Sequence, residues 1–198
     1  MIKNITLIIS ILFFINYFGQ AQETYTHLKY LVDSQVNSQI KRFDFKDSGV
    51  LKSSMLVKVY RNEHLFFDQD GKPLDCYTQS VLSNDTIYIT GHMYGDIGYG
   101  FLLALFKDSC ILTSFAYSDS AIYKYNKSDT TLLAFIPVPS STQKLTLSNT
   151  PLYKEGEIVS GLVELESKAF YSGPEASANS FKIKLKAYFK TSALNNSQ

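Results

Sequence analysis

Phe181-Lys182-Ile183-Lys184-Leu185-Lys186-Ala187-Tyr188-Phe189-Lys190 sets Phe, Ile, Leu, Ala and Phe at every second position and four lysines and a tyrosine between them. Successive side chains of a β-strand point to opposite faces, so this period of two predicts a strand with one buried face and one wet face. The stretch before it, from Glu157 to Ala169, carries Glu164 and Glu166 at alternate positions. A hairpin closed through 172–180 sets those carboxylates beside Lys184 and Lys186 as cross-strand pairs. The lysine row thus reads as a solvated, partly paired sheet face. A stripe that attracts an anionic polymer or a membrane surface is the alternative.

Working back from this hairpin, the chain from Val50 onward is a series of short runs rich in Val, Ile, Leu, Phe, Tyr and Thr. Clusters of Asn, Asp, Ser and Gly break them, as turns between antiparallel strands do. Strands are expected near 50–60, 63–68, 73–82, 86–94, 98–106, 110–117, 121–125, 131–136, 143–149, 157–169 and 181–190. Asp68-Gln69-Asp70-Gly71-Lys72, Asn84-Asp85 and Asp108-Ser109 supply turn chemistry between them. No interval offers a crossover helix, which argues against a parallel sheet. Pro137-Val138-Pro139-Ser140-Ser141 reads as a loop inside one domain, because the remainder from Thr142 is too short to hold a core alone.

Residues 22–47 differ, with Leu28, Leu31, Val32, Val36, Ile40 and Phe43 at spacings of three and four and no Gly or Pro. That period predicts one amphipathic helix lying across the sheet as a brace. The expected class is therefore mostly β with some α, a single antiparallel curled sheet or partial barrel with one N-terminal helix. A β-sandwich is the alternative.

Ahead of the helix, Lys3 precedes an apolar run from Ile5 to Phe18, closed by Gly19-Gln20-Ala21. A basic start, an almost unbroken apolar run over 14 residues with Asn16 inside it, and small residues at a cleavage position are the layout of a secretory signal peptide. The run is shorter than a membrane-spanning helix requires. Residues 1–21 are expected to be removed after Ala21, leaving 22–198 as a single β-rich domain of 177 residues, secreted, periplasmic or held at the cell surface. No stable membrane span is expected after cleavage. A hydrophobic content of 45% against 19% charged marks a chain that folds. A formal net charge of +1 gives no electrostatic footprint for nucleic acid.

Export gives Cys76 and Cys110 a meaning, because oxidising compartments keep disulfides. They are 34 positions apart, and a bridge closing such a loop would contribute roughly 3–4 kcal/mol. A disulfide is expected, with two small buried thiols as the alternative.

The most unusual composition is Gly91-His92-Met93-Tyr94-Gly95-Asp96-Ile97-Gly98-Tyr99-Gly100, with four glycines among its ten residues. The structural reading is a sheet bend where small residues admit a close neighbour. The chemical reading uses His92 and Asp96 as a base with its orienting carboxylate, and Tyr94 and Tyr99 as binding rings. That pair is too few for a metal, and His27 and His64 have no ligand spacing, so no metal or cofactor is expected. Asp68, Asp70 and Asp75 do not have the spacing of a calcium loop.

Three functional readings stand. The first is a non-catalytic exported protein that binds a small ligand or an envelope protein partner. The second is a structural, assembly or adhesion role in the envelope. The third is a hydrolase of envelope or extracellular polymer, with His92 and Asp96 the least poor catalytic candidates.

Overall fold

The computed structural model describes residues 27–41, 54–68, 76–93, 97–173 and 179–195. Its elements are β1 (Leu31–Val32), α1 (Gln35–Lys41), β2 (Ser54–Arg61), β3 (His64–Asp68), β4 (Cys76–Ser83), β5 (Thr86–Met93), β6 (Ile97–Leu105), β7 (Cys110–Ser118), β8 (Tyr123–Lys124), β9 (Phe135–Val138), β10 (Ser140–Leu147), β11 (Ile158–Ser167), β12 (Phe170–Ser172), β13 (Asn179–Phe181), β14 (Ile183–Ser192) and β15 (Leu194–Asn195). The mostly β class with one helix is as the sequence predicts. The strands form a first six-stranded sheet in the order β1-β10-β11-β14-β2-β3, a second in the order β15-β4-β5-β6-β7-β9, and a small one, β13-β12-β8. The two large sheets face each other across one core, the sandwich arrangement, and no barrel closes among the described residues.

Alternation explains the core. Val57 and Val59 of β2, Val163 and Leu165 of β11, and Leu185, Ala187 and Phe189 of β14 point inward from the first sheet. They meet Ile87 and Ile89 of β5, Phe101, Leu103 and Leu105 of β6, and Leu112 of β7. The Phe101 and Phe189 rings lie 5.8 Å apart across the interface. Such burial of large apolar side chains is the main favourable term, at about 1.5–3 kcal/mol each. Along β4 the sheets are also joined by hydrogen bonds. Thr78 Oγ1 donates to the Lys190 carbonyl (3.2 Å) and Ser80 Oγ to the Ser192 carbonyl (2.7 Å).

Turn chemistry sets the registers. Asn62 and Glu63 both have positive φ (49° and 67°), the backbone that a two-residue hairpin between β2 and β3 requires. Asn84 at φ 52° turns β4 into β5. Pro137 sits opposite Phe115 on β9, an edge strand where a missing N–H is tolerated. Through Pro139 the chain then passes from the second sheet to the first, so the Pro-rich segment is a crossing inside the sandwich.

The helix is the main correction. Residues 31–32 pair in parallel with Thr146 and Leu147 of β10 instead of continuing a helix, and Leu31 and Val32 are about half exposed. The free edge of β10 offers backbone partners that an isolated helical turn cannot match. The helix begins only after Asp33, whose Oδ1 accepts the Gln35 N–H at 2.9 Å. What remains of the predicted stripe is Val36 and Ile40, both buried one turn apart as α1 packs on β11 and β14. Phe43 lies outside the described residues. A second short parallel pair, β15 on β4, also departs from an all-antiparallel expectation.

The expected disulfide is absent. Cys76 is level with Met93, whereas Cys110 is level with Leu105 and, through it, with Ile87. Six residues of β5 separate those levels, about 20 Å along the strands, and three strand spacings add about 14 Å across them. A bridge needs Cα atoms about 4.4–6.8 Å apart. The alternative of two buried thiols is what the structure has, with burial pushing the Cys110 thiol up to about 12.

Candidate functional site

The glycine-rich segment is built around three rings. Gly91 lies opposite Phe101, Gly100 opposite Phe115, and Gly98 opposite Tyr117 in the strand registers. A Cβ on Gly91 would stand 2.2 Å from Phe101 Cε1, and one on Gly100 would stand 2.1 Å from the Gly91 carbonyl oxygen and 2.3 Å from Phe115 Cζ. A Cβ on Gly98 would meet Tyr117 Cζ at 2.0 Å. Each glycine therefore makes room for the aromatic directly across from it, a cross-strand arrangement that pins register. This is the close approach that the small residues predict.

Of the candidate chemical groups of that segment, the two described ones, His92 and Tyr99, point to opposite faces of the sheet. His92 points to the outer face of the second sheet, with Phe115 at 5.2 Å and Tyr117 at 6.5 Å between ring centres. Burial against these rings pushes the imidazole from 6.5 down to about 4, although part of its side chain stays exposed. It is thus neutral at ordinary pH. Tyr99 points the other way, into the core, where it is 2% exposed. Burial raises its phenol above the usual value, and a hydrogen bond and charge from Arg61 offset part of that rise. Tyr94 and Asp96 lie outside the described residues. Tyr99 joins Tyr123, Phe170 and Phe181 where the small sheet closes one end of the sandwich, with the Arg61 guanidinium 5.2 Å from the Phe181 ring centre. That cluster is packed rather than open.

Among the described residues no group of three or more His, Cys, Asp or Glu side chains could hold a metal. A shallow depression near Lys124 is closed on itself: the Lys124 ammonium donates to the carbonyls of Lys127 (2.8 Å) and Asp129 (3.3 Å).

An open feature lies on the outer face of the first sheet. It is a basin of about 1050 Å³, floored by β10, β11 and β14 and bordered by the β2–β3 turn. Asn62 fixes that border by taking the Lys182 N–H on Oδ1 (2.8 Å) and donating Nδ2–H to the Ser180 carbonyl (2.9 Å). In the register, Glu164 stands opposite Lys186 and Glu166 opposite Lys184, as the alternating sequence predicts. Lys186 Nζ reaches Glu164 Oε1 at 3.5 Å and Lys144 Nζ reaches Oε2 at 3.9 Å, so one carboxylate is shared by two ammonium groups. Lys182 and Lys184 make no ion pair among the described residues, and Tyr60 adds an aromatic ring to the same wall. The basin can thus offer two ammonium groups, a carboxylate at Glu166, hydroxyls at Thr142 and Ser180, and a ring.

The alternation that made 181–190 legible as a strand was also the signal for this face. What the sequence did not carry was the border, which depends on the positive φ of Asn62 and Glu63. Comparison with known proteins returns no match: no protein family, no curated protein and no solved structure is similar to this chain.

Proposed function

We propose that the protein is an exported, non-catalytic binding protein, working in the periplasm, at the cell surface or outside the cell, and that it takes a ligand or protein partner on the basin of the first sheet. The observation that supports this reading most is the pair of exposed ammonium groups, Lys182 and Lys184, in an open basin where Lys144 and Lys186 are already engaged by Glu164. A partner that presents carboxylates or sugar hydroxyls along an extended chain suits this surface. Lysines and Tyr60 would hold it by charge and stacking, each contact being modest and screened by salt. Export rests on the Lys3, Ile5–Phe18 and Gly19-Gln20-Ala21 pattern. No helix among the described residues is long and apolar enough to cross a membrane.

The test is the native mass of the protein purified gently from the exported fraction. The expected result is a chain beginning at Gln22 with a discrete excess mass that denaturation removes. A Lys182→Glu/Lys184→Glu double variant should lose that excess and keep the wild-type circular dichroism. A bare wild-type chain, or a double variant that retains the mass, contradicts the reading.

A further inference from the structure

The basin on the first sheet holds two neighbouring rows of side chains that run across the strands, and one of them is closed while the other is open. Strand registers set Lys144, Glu164 and Lys186 side by side in one row, and Thr142, Glu166, Lys184 and Tyr60 side by side in the next. In the first row both ammonium groups hold Glu164, at 3.9 and 3.5 Å. In the second, Glu166 and Lys184 stand opposite each other in the same way yet form no ion pair among the described residues. Lys182, two residues ahead of Lys184 along the chain, is exposed at the same wall. Neighbours in a row are about 4.8 Å apart, so the open row runs about 14 Å from Tyr60 to Thr142.

A row of ring, ammonium, carboxylate and hydroxyl restricts its ligand by charge. A densely anionic chain that reached Lys184 would bring like charge to Glu166 and lose there what it gains at the lysine. A neutral chain would leave both ammonium groups unused. A ligand that carries carboxylates and hydroxyls together uses the whole row. Its carboxylates meet Lys182 and Lys184, its hydroxyls donate to Glu166 and Thr142, and a C–H face lies on the Tyr60 ring.

The backbone beneath the row separates a sugar from a polypeptide. β10, β11, β14 and β2 pair in sequence, so the N–H and C=O groups between them are used in the ladders. A peptide crossing this floor would find no backbone partner, whereas peptides are held at sheet edges or in grooves. Ordering it would also cost about 1–2 kcal/mol per residue in backbone entropy. A sugar ring is already closed and presents its hydroxyls outward.

We propose that the open row binds an acidic glycan, a sugar chain bearing uronic-acid carboxylates beside free hydroxyls, laid across the strands from Tyr60 to Thr142. Resting on the basin reading, this assignment gives the partner a chemical class.

The test is titration calorimetry of the purified protein at low salt with three probes: trigalacturonate, neutral cellotriose and hexaglutamate. Trigalacturonate should bind saturably, and the other two about tenfold more weakly or less. Glu166→Gln supplies the deciding sign. Where Glu166 accepts sugar hydroxyls, the substitution weakens trigalacturonate several-fold; where it only repels an anion, the substitution tightens binding. Tyr60→Ala should weaken trigalacturonate several-fold as well. Absent trigalacturonate binding, equal binding of either other probe, or a folded Glu166→Gln variant that binds as tightly or more tightly overturns the glycan. If that variant loses its β circular dichroism, the three probes on the wild-type chain decide. Hexaglutamate that binds in place of trigalacturonate and is lost in Lys182→Glu/Lys184→Glu overturns the glycan and leaves the basin standing. Trigalacturonate that still binds the folded double variant overturns both.

Discussion

The outer faces of the two large sheets solve the same problem in opposite ways. On the first sheet, β14 sends Ile183, Leu185, Ala187 and Phe189 into the core and Lys184, Lys186 and Lys190 into water, while α1 covers only the far end. On the second, β6 and β7 bury both sides: Phe101, Leu103 and Leu105 face the core, and Leu102, Ala104, Ile111 and Phe115 face outward without being exposed. One sheet thus has a surface, and the other has a second interior. The difference teaches that strand alternation alone does not set which face of a sheet is exposed.

If that contrast holds, substitutions on the two outer faces must differ in cost. Phe115→Ala removes a fully buried ring that also fills the space over Gly100. It should cost about 3–5 kcal/mol in urea unfolding of the full-length chain, the range of a core aromatic. A loss under about 1 kcal/mol would mark the face as surface.

Gly100→Ala sharpens the point next. Its Cβ would stand 2.1 Å from the Gly91 carbonyl oxygen, which is backbone and cannot swing aside. The expected loss is about 3 kcal/mol, typical of severe overpacking. Gly156→Ala, at φ 75° with nothing near its Cβ, would be strained by backbone alone. Its loss should be smaller, about 1 kcal/mol.

His92 gives the same face a pH signature. The free imidazole takes a proton below 6.5, but the folded one refuses it until about 4. Between these values the unfolded chain binds more protons, so stability is fully present above the window and falls as pH drops through it. At about 1.4 kcal/mol per unit this approaches 3 kcal/mol. Wild-type melting temperature should therefore fall between pH 6.5 and 4 more steeply than that of His92→Phe. Parallel curves would place His92 in water.

The smallest effect belongs to the first sheet. Lys186→Ala removes an ammonium 3.5 Å from Glu164, the two side chains 47% and 37% exposed. Exposed pairs contribute about 0–1 kcal/mol. A loss as large as that of Phe115→Ala would erase the distinction between the faces.

These differences were unequally legible in the sequence. Strict alternation in 181–190 predicted β14, its wet face and its pairing with Glu164 and Glu166, and turn residues such as Asn84-Asp85 and Asp108-Ser109 stand where strands end. The unbroken run Phe101-Leu102-Leu103-Ala104-Leu105 carried the signal of a strand buried on both sides, which a reading for alternation passes over. The stripe from Leu28 to Ile40 misled because its period fits a helix, while an edge strand nearby offered Leu31 and Val32 a better backbone partner. The cysteine pair misled because sequence separation does not report which end of a strand a residue occupies. Of the candidate site, the charged floor was visible in the sequence. The glycine-rich segment drew attention for chemistry, and its described glycines, Gly91, Gly98 and Gly100, make room for rings.

The contrast between the faces is tested most directly by hydroxyl-radical footprinting of the full-length chain, read residue by residue. Leu102 and Phe115 should be protected to the level of Phe101 and Phe189 in the core, while Leu65 and Tyr125, both exposed, label readily. Labelling of Leu102 and Phe115 at the rate of Leu65 would mean that the second sheet has an ordinary surface, and would contradict the account.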